Sequence, residues 1–282
     1  VTKADVYGIT GGIPLYLNKL DVKKDLKSAL LRNFFNTSSY LFEEPENLLK
    51  QELREPALYN AVIKAIAEGA TKLSEISTKT GMETSSCSTY VHTLVGLGII
   101  EKETPLGKKE GGRSIYRISD PFFRFWYRFV PRNMGAIATG RIRNTFDRSV
   151  GDYLHDYMGS VFEDMCAQYL MMYDDSLPIN LNRVGRWWGT DPKKRKEIEI
   201  DLIGEPVQEN NDQKKEYIAA SCKFRNGHFT MKDLDELKEY SMVFCRDAEF
   251  HYYVFYISDV ADDVKDLAKR EGIRLVSLEQ VF

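Results

Sequence analysis

Apolar residues in the C-terminal half of the chain follow a two-residue period in some segments and a helical period in others. Strand-like runs are found in NRVGRWWG, EIEIDLIG, YIAASCKF, HYYVFYIS and IRLVSL. Helical patterns precede or separate these runs, in GSVFEDMCAQYL, MKDLDELKEYSMVF and VADDVKDLAKREG. The order helix, three strands, helix, strand, helix, strand predicts an α/β domain built around a mixed sheet.

Acidic and aliphatic residues alternate in EIEIDLIG, the second predicted strand. Because successive side chains of a strand point to opposite faces, the two kinds of residue are expected on opposite sides of the sheet. The two sets are Glu197, Glu199 and Asp201 against Ile198, Ile200 and Leu202. In the next strand Ser221 and Lys223 share a face. If the strands are neighbours, Asp201 and Lys223 can approach each other, and a carboxylate beside a lysine suits metal-dependent phosphodiester hydrolysis.

Residues 56 to 120 have the pattern of a winged helix-turn-helix. ALYNAVIKAIAEG predicts a helix that ends at Gly69, and TKLSEISTKTG predicts a second helix with a cap at Thr71 and an end at Gly81. METSSCSTYVHTLVGLGII predicts the third helix, and EKETPLGKKEGGRSIYRIS predicts a hairpin with a glycine-rich tip. The expected apolar face of the third helix consists of Val91, Leu94, Val95 and Leu97.

The third helix of this module is the one expected to face a DNA groove. Its candidate contacts are polar, and the wing adds three cations: Ser86, Thr89 and His92 on the helix, with Lys108, Lys109 and Arg113 in the wing. The third helix itself carries no lysine or arginine, and basic and acidic residues nearly balance between residues 56 and 120. Since phosphate contacts need cations, DNA binding and packing against another protein domain both remain open for this module.

The first 55 residues are helical in pattern. GGIPLYLNKL places Pro14 in a first helical turn, and DLKSALLRNFF spaces its apolar residues for one helix face. A segment of this length buries too little surface to fold stably as a domain of its own. It is therefore predicted to be part of a larger module.

Composition places the chain among ordinary globular proteins. Its 282 residues include 43% hydrophobic and 29% charged residues, with a net charge of −3, which excludes a wholly basic nucleic-acid binder. The cysteines form no CxxC pair, so neither a zinc knuckle nor a disulfide framework is indicated and a cytoplasmic location is expected. No apolar run approaches the length of about 18–20 residues that a membrane span needs, so no membrane partner is expected.

Several motifs, in this order, resemble a family of prokaryotic, archaeal-type AAA/STAND ATPases. They are YGITGGIPLYL, LVGLGIIEKETP, YRISDPFFRFWYRFV, GSVFEDMCAQYL, EIEIDLIG and ASCKF. In that family a P-loop ATPase module is followed by a winged helix and by a domain of unknown function related to PD-(D/E)xK nucleases. The resemblance implies an α/β fold with an all-α lid and a winged helix, and a C-terminal mixed sheet of restriction-endonuclease-like type.

The resemblance also implies a division of the chain into three parts. Residues 1–55 would be the helical lid of the ATPase module, residues 56–120 the winged helix, and residues 121–282 a helical connector with the nuclease-like domain. No GxxxxGK[ST] motif occurs, so ATP is expected to bind only in an N-terminal part that this sequence lacks. ATPase activity is therefore not expected of this chain.

Carried over residue by residue, the family pattern places a catalytic site in the sheet. Asp201 matches the metal-binding aspartate, Lys223 the lysine of the (D/E)xK pair, and Glu163 the glutamate on the preceding helix. Mg²⁺ would be held by Asp201 and Glu163, and Glu199 is a further candidate on the same strand face as Asp201. Relatives carry an acid two residues before the lysine, where this chain has Ser221. A neutral hydroxyl is a weak ligand, so metal binding and catalysis are expected to be impaired.

Two functions from different classes follow. The first is a DNA-binding regulatory or effector part of an AAA-type ATPase, with a degenerate or weak metal-dependent phosphodiesterase site. The second is a non-enzymatic protein-interaction or sensor module that regulates the ATPase. The expected partners are DNA and the chain's own ATPase module; the sequence does not predict an oligomeric state.

Overall fold

The structure is a computed structural model that describes residues 3–20, 22, 25–107, 113–207 and 215–281. Within it the chain forms two compact units, one of Val1–Glu103 with Ser114–Tyr157 and one of Thr104–Arg113 with Met158–Phe282. The predicted combination of an α-helical, winged-helix region with a C-terminal mixed sheet is confirmed. The finer division at residues 55 and 120, and the restriction-endonuclease-like type of the sheet, stay predictions.

The first unit contains helices and one β-hairpin. The helices are α1 (Lys3–Thr10), α2 (Pro14–Lys19), α3 (Leu26–Asn33), α4 (Tyr40–Glu52), α5 (Pro56–Ala67), α6 (Leu73–Thr80), α7 (Thr84–Gly96), α8 (Pro121–Phe129), α9 (Met134–Ala138) and α10 (Ile142–Phe146). The hairpin strands β1 (Ile100–Glu103) and β2 (Ile115–Ile118) are antiparallel. A 3₁₀ turn (Pro131–Asn133) and a π-helical turn (Asp147–Gly151) flank α9 and α10.

The core of the first unit is aromatic and is organised by α8. Asp120 caps this helix, because its side chain accepts a hydrogen bond from the backbone N–H of Phe123 over 2.8 Å. The ring of Phe125 meets that of Phe34 edge-on at 4.9 Å, and Phe122 stacks on Tyr16 at 4.3 Å. The cluster ties helices α2 and α3 to α8, so the N-terminal helices and the helix that follows the hairpin share one core.

Helices α5, α6 and α7 with the hairpin form the predicted winged helix-turn-helix. The cap of α6 differs by one residue from the expectation: the N-cap is Lys72, and the Glu75 carboxylate accepts hydrogen bonds from the backbone N–H groups of Thr71 and Lys72. Gly81 ends the helix in the left-handed conformation at a φ of 70°, where a glycine costs least.

The apolar face of α7 is narrower than the sequence predicts. Val91 and Leu94 are buried, as expected, and Cys87 lies beside them on the inner face. Val95 and Leu97, predicted for the same face, are 36% and 40% exposed. Val95 lies in the last turn of α7 and Leu97 is its C-cap residue, next to the turn at Gly98 into β1.

The second unit is a three-layer α/β structure. Its elements are the C-terminal part of α11 (Asp152–Met172), β3 (Leu181–Asp191), β4 (Lys196–Pro206), β5 (Glu216–Lys223), α12 (Met231–Phe244), β6 (Glu249–Tyr256), α13 (Asp262–Glu271), β7 (Arg274–Ser277) and α14 (Leu278–Val281). The strands follow chain order in one sheet; the first two pairs are antiparallel and the last two are parallel.

Helices cover both faces of this sheet. On one face Tyr169 of α11 meets Phe255 of β6 edge-on at 5.8 Å. On the other face Val254 of β6 joins the cluster formed with α13, and α12 covers the cluster built on β3 and β4. Because consecutive residues of β6 point to opposite faces, the continuous apolar run of this strand is explained by burial on both sides.

A short segment of the wing belongs to this unit. Leu106 is 3% exposed and packs in the cluster that contains Trp187, Ile198 and Leu237. Its backbone N–H donates a hydrogen bond to the carbonyl oxygen of Arg186 over 3.0 Å. The hairpin connection is therefore anchored in the core of the α/β unit.

Candidate functional site at the fork of two strands

The candidate site lies where β4 and β5 separate. Their backbone pairing runs over Leu202–Gly204 and ends beside Asp201. Beyond that point the Asp201 side chain takes the place of a strand partner: its Oδ2 accepts hydrogen bonds from the backbone N–H of Cys222 at 2.7 Å and from the Ser221 hydroxyl at 3.1 Å. The fork therefore positions the Asp201 carboxylate by two protein donors.

Lys223 completes the polar end of the fork. Its Nζ lies 3.8 Å from the same Oδ2 of Asp201, so the predicted approach of the two side chains is confirmed. Both line a small cavity of about 40 Å³, together with Glu199, Ser221, Glu236 and Tyr240. The Tyr240 hydroxyl donates to Glu236 over 2.6 Å, and this hydrogen bond raises the pKa of Tyr240 to about 12. The cavity is polar, and its size suits water rather than a large ligand.

A β-bulge shapes the site from the other neighbouring strand. Gly185 pairs with Ile203 and Trp187 pairs with Ile200, so Arg186 alone faces Asp201 and Leu202. After the bulge Ile203, rather than Leu202, joins Ile198 and Ile200 in the cluster under α12. The strict alternation that the sequence predicts for β4 is therefore wrong beyond Asp201.

Arg186 connects the two remaining predicted acids. Its guanidinium forms an ion pair with Glu199, and its Nε lies 3.4 Å from Oε2 of Glu163 on α11. Burial is the main cause that raises the pKa of Glu163 to about 8, and the nearby Asp201 carboxylate adds to it, while Arg186 opposes the shift. Near neutral pH Glu163 therefore holds a proton for a large part of the time.

This donor set does not fit a divalent metal ion. Among the described residues no group of three or more His, Cys, Asp or Glu side chains is arranged to hold a metal. Oδ2 of Asp201 is already hydrogen-bonded by Ser221 and Cys222, and Glu163 is held by Arg186 and has a raised pKa. Mg²⁺ needs several deprotonated oxygen ligands in near-octahedral geometry, and the described arrangement does not offer such a set. The metal-binding role of Asp201 and Glu163 stays a prediction.

Three of the predicted nucleic-acid contacts lie on α7, in the first unit. Ser86, Thr89 and His92 are all exposed on α7, as expected for a helix that faces a groove. Arg113 is exposed. Lys108 and Lys109 lie outside the described residues. The roles assigned to these side chains, like the catalytic roles of Asp201, Lys223, Glu163 and Glu199, stay predictions.

Sequence reasoning missed Arg186, the residue that joins Glu163 to Glu199. The signal was present in NRVGRWWG, where a charged residue stands in a strand next to two tryptophans. A cation at a partly buried strand position indicates an acidic partner. The bulge that directs it toward the acids depends on the pairing of β3 with β4 and could not be read from either strand alone.

Comparisons with known proteins identify two regions of the chain. Residues 61–104 match the IclR helix-turn-helix domain. Residues 126–238 match DUF234, described as "Archaea bacterial proteins of unknown function". The chain thus combines a helix-turn-helix region with a DUF234 region. Of the helices in the described part of the chain, none is long and apolar enough to cross a membrane.

A curated relative extends over most of the chain. The uncharacterized protein MJECL04 of Methanocaldococcus jannaschii is 32% identical over 241 residues, which cover 84% of this chain and 50% of the relative. The chain therefore spans about half the length of this relative.

Solved structures resemble the chain only weakly. The MarR family transcriptional regulator SPO1453 from Silicibacter pomeroyi is 15% identical, with 48% of this chain and 82% of that chain covered, at a TM-score of 0.25. Protein VC1899 from Vibrio cholerae is 12% identical, with 87% of this chain and 55% of that chain covered, at a TM-score of 0.30. Can2 from Sulfobacillus thermosulfidooxidans is 13% identical, with 86% of this chain and 53% of that chain covered, at a TM-score of 0.27. Such TM-scores do not establish a shared fold.

Proposed function

We propose that this chain is a DNA-binding regulatory part of a longer AAA-type ATPase, and that its nuclease-like site neither holds a divalent metal nor cleaves DNA. The observation that carries the proposal is the hydrogen bond from Ser221 to Asp201, at 3.1 Å. In the family pattern position 221 is an acid, which would add a negative ligand beside Asp201. In this chain Ser221 instead donates a hydrogen bond to Oδ2 of Asp201.

Two findings support the nucleic-acid part of the proposal. The helix-turn-helix match covers residues 61–104, the segment that contains α7. The outward side of α7 carries hydroxyl and imidazole groups that can donate to and accept from base edges, and Ser86, Thr89 and His92 are exposed. The regulatory role in an ATPase rests on the sequence resemblance and on the greater length of the archaeal relative.

A paired binding and cleavage assay tests this function. A fluorescein-labelled duplex titrated with the protein at several salt concentrations should show binding that weakens steeply with salt. Supercoiled plasmid incubated with the same protein in Mg²⁺ or Mn²⁺ should stay supercoiled. Nicking that disappears in both Asp201→Ala and Lys223→Ala would contradict the loss of catalysis, and an absence of binding would contradict the DNA-binding role.

A second candidate is a protein-interaction module that regulates the ATPase without contacting DNA. The burial of Leu106 favours it, because a wing anchored in the α/β core is less available to a DNA groove. The two candidates differ in how α7 variants behave. If the second is correct, a combined Ser86→Ala, Thr89→Ala and His92→Ala variant will leave any residual DNA binding unchanged; the first predicts clear weakening.

A further inference from the structure

The segment between residues 121 and 151 has an unusual charge pattern. All of its basic residues are arginines, and its single acidic residue is Asp147. The arginines are Arg124, Arg128, Arg132, Arg141, Arg143 and Arg148. In a chain with a net charge of −3, this segment is a local concentration of positive charge.

The last three arginines project from one short stretch of helix. Ile142, Phe146 and Val150 are buried at the spacing of an inner helical face. Arg141, just before this stretch, and Arg143 and Arg148 within it are exposed. At a rise of about 1.5 Å per residue, these three arginines span roughly 10 Å along the helix axis. We call this the arginine surface, defined by Arg141, Arg143 and Arg148.

The acid within this segment, Asp147, is already paired with a lysine, and the next acid along the chain is Asp152, exposed four residues after Arg148. Nζ of Lys27 lies 2.7 Å from both carboxylate oxygens of Asp147, and the same ammonium group is 5.6 Å from the centre of the Phe146 ring. Within the described residues the side chains of the arginine surface have no ion pair or hydrogen bond to the protein. Their charge is therefore available to an external anion.

The arginine surface and α7 belong to the same compact unit. Helix α7 carries no lysine or arginine, although phosphate contacts supply most of the sequence-independent affinity for DNA. Arginine is well suited to such contacts, because its planar guanidinium can donate two parallel hydrogen bonds to one phosphate. The cations that α7 lacks are thus present elsewhere in its own unit.

We propose that Arg141, Arg143 and Arg148 form a binding surface for the phosphate backbone of duplex DNA. This inference rests on the proposed DNA-binding function and adds the residues that provide its electrostatic part. Helix α7 contacts the base edges, and the arginine surface contributes affinity that does not depend on the DNA sequence.

The test is a salt titration of DNA affinity with a matched control. The full chain and the variant Arg141→Gln, Arg143→Gln, Arg148→Gln are titrated into a fluorescein-labelled duplex of mixed sequence between about 50 and 200 mM salt. The control variant, Arg246→Gln, Lys269→Gln, Arg270→Gln, removes the same charge from exposed positions of the second unit. Thermal unfolding checks that all three proteins are folded.

The expected result is specific to the arginine surface. Its variant should bind at least about tenfold more weakly at the lower salt, with a log–log salt slope flatter by roughly 2 to 3, since each lost phosphate contact removes about 0.9. The control should bind like the wild type. If the wild type binds and both variants lose affinity equally, or neither variant loses affinity, the proposed role of the arginine surface is overturned. The DNA-binding function then stands. If the wild type does not bind duplex DNA, the role of the arginine surface and the DNA-binding function are both overturned. The same holds if the wild type binds anionic phosphatidylglycerol vesicles but not DNA.

Discussion

Ser221 and Asp201 are joined by a hydrogen bond of 3.1 Å at the point where β4 and β5 separate. The serine hydroxyl donates, and the aspartate also accepts from the backbone of Cys222 at 2.7 Å. Two donors and the nearby Lys223 ammonium stabilise a carboxylate without a metal ion. The pair therefore shows how an aspartate at a strand fork can be held as a structural element.

Replacing Ser221 by aspartate should create metal dependence. The Ser221→Asp variant places a second carboxylate beside Asp201, so it should be less stable than wild type in the absence of metal because of repulsion between like charges. Millimolar Mn²⁺ should raise its melting temperature, since a ligand that binds only the native state stabilises it. The melting temperature of the wild type and of a Ser221→Asn control should not respond; an equal rise in the wild type would contradict the proposed loss of the metal site.

Removing the Asp201 carboxylate should destabilise the α/β unit. Asp201→Ala leaves the Cys222 N–H and the Ser221 hydroxyl without their acceptor, and a partly buried donor left unpaired costs about 1–3 kcal/mol. Asp201→Asn keeps an acceptor oxygen and should cost less. Urea unfolding measures both, with Glu197→Ala on the exposed face of β4 as a control expected within about 0.5 kcal/mol of wild type. An Asp201→Ala variant as stable as wild type would exclude this structural role.

The contribution of Glu163 to the free energy of unfolding should fall as the pH rises from about 4.5 to about 8. Its pKa is raised from 4.5 to about 8 in the folded protein, mainly by burial. Across this interval the folded state keeps a proton that the unfolded state releases, so a rising pH favours unfolding; below it both states are protonated. Glu163→Gln should make the free energy of unfolding less dependent on pH over this range.

The measurement is urea unfolding of wild type and Glu163→Gln at several pH values within the interval. Glu197→Gln, at an exposed position on β4, serves as the matched control and should keep the wild-type profile. Identical profiles for Glu163→Gln and wild type would show that Glu163 is not the titrating group.

The anchored part of the wing should contribute strongly to stability. Leu106 is 3% exposed and packs against Trp187. Leu106→Ala should therefore lower the free energy of unfolding by about 2–5 kcal/mol, the usual range for a buried leucine. Leu97→Ala, at a position that is 40% exposed, provides the control and should change it by less than about 0.5 kcal/mol. Equal small effects in urea unfolding would mean that the wing segment is not part of the core.

The order of elements could be predicted because their patterns are local. The alternation in EIEIDLIG and the apolar run in YIAASCKF identify β4 and β5, and the approach of Lys223 to Asp201 follows once the two strands are neighbours. The helix-turn-helix could be predicted for the same reason, since its caps and glycine ends lie within a few residues of each helix.

What could not be predicted depends on contacts between segments distant in the chain. The bulge opposite Arg186 shifts the faces of β4 after Asp201, and it arises only from pairing with β3. The burial of Leu106 depends on a β3 carbonyl and on the cluster under α12. The raised pKa of Glu163 combines burial on α11 with carboxylates from β4, which no single motif contains.

The most direct test of the central claim is a titration of the wild-type chain with Mn²⁺, followed by the electron paramagnetic resonance signal of the free ion. Oδ2 of Asp201 already accepts from Ser221 and Cys222, and Glu163 is paired with Arg186. The fork is therefore expected to hold no manganese, so the signal of the free ion should equal that of buffer alone. Stoichiometric loss of that signal, abolished by Asp201→Ala, would show that the site binds a metal and would contradict this account.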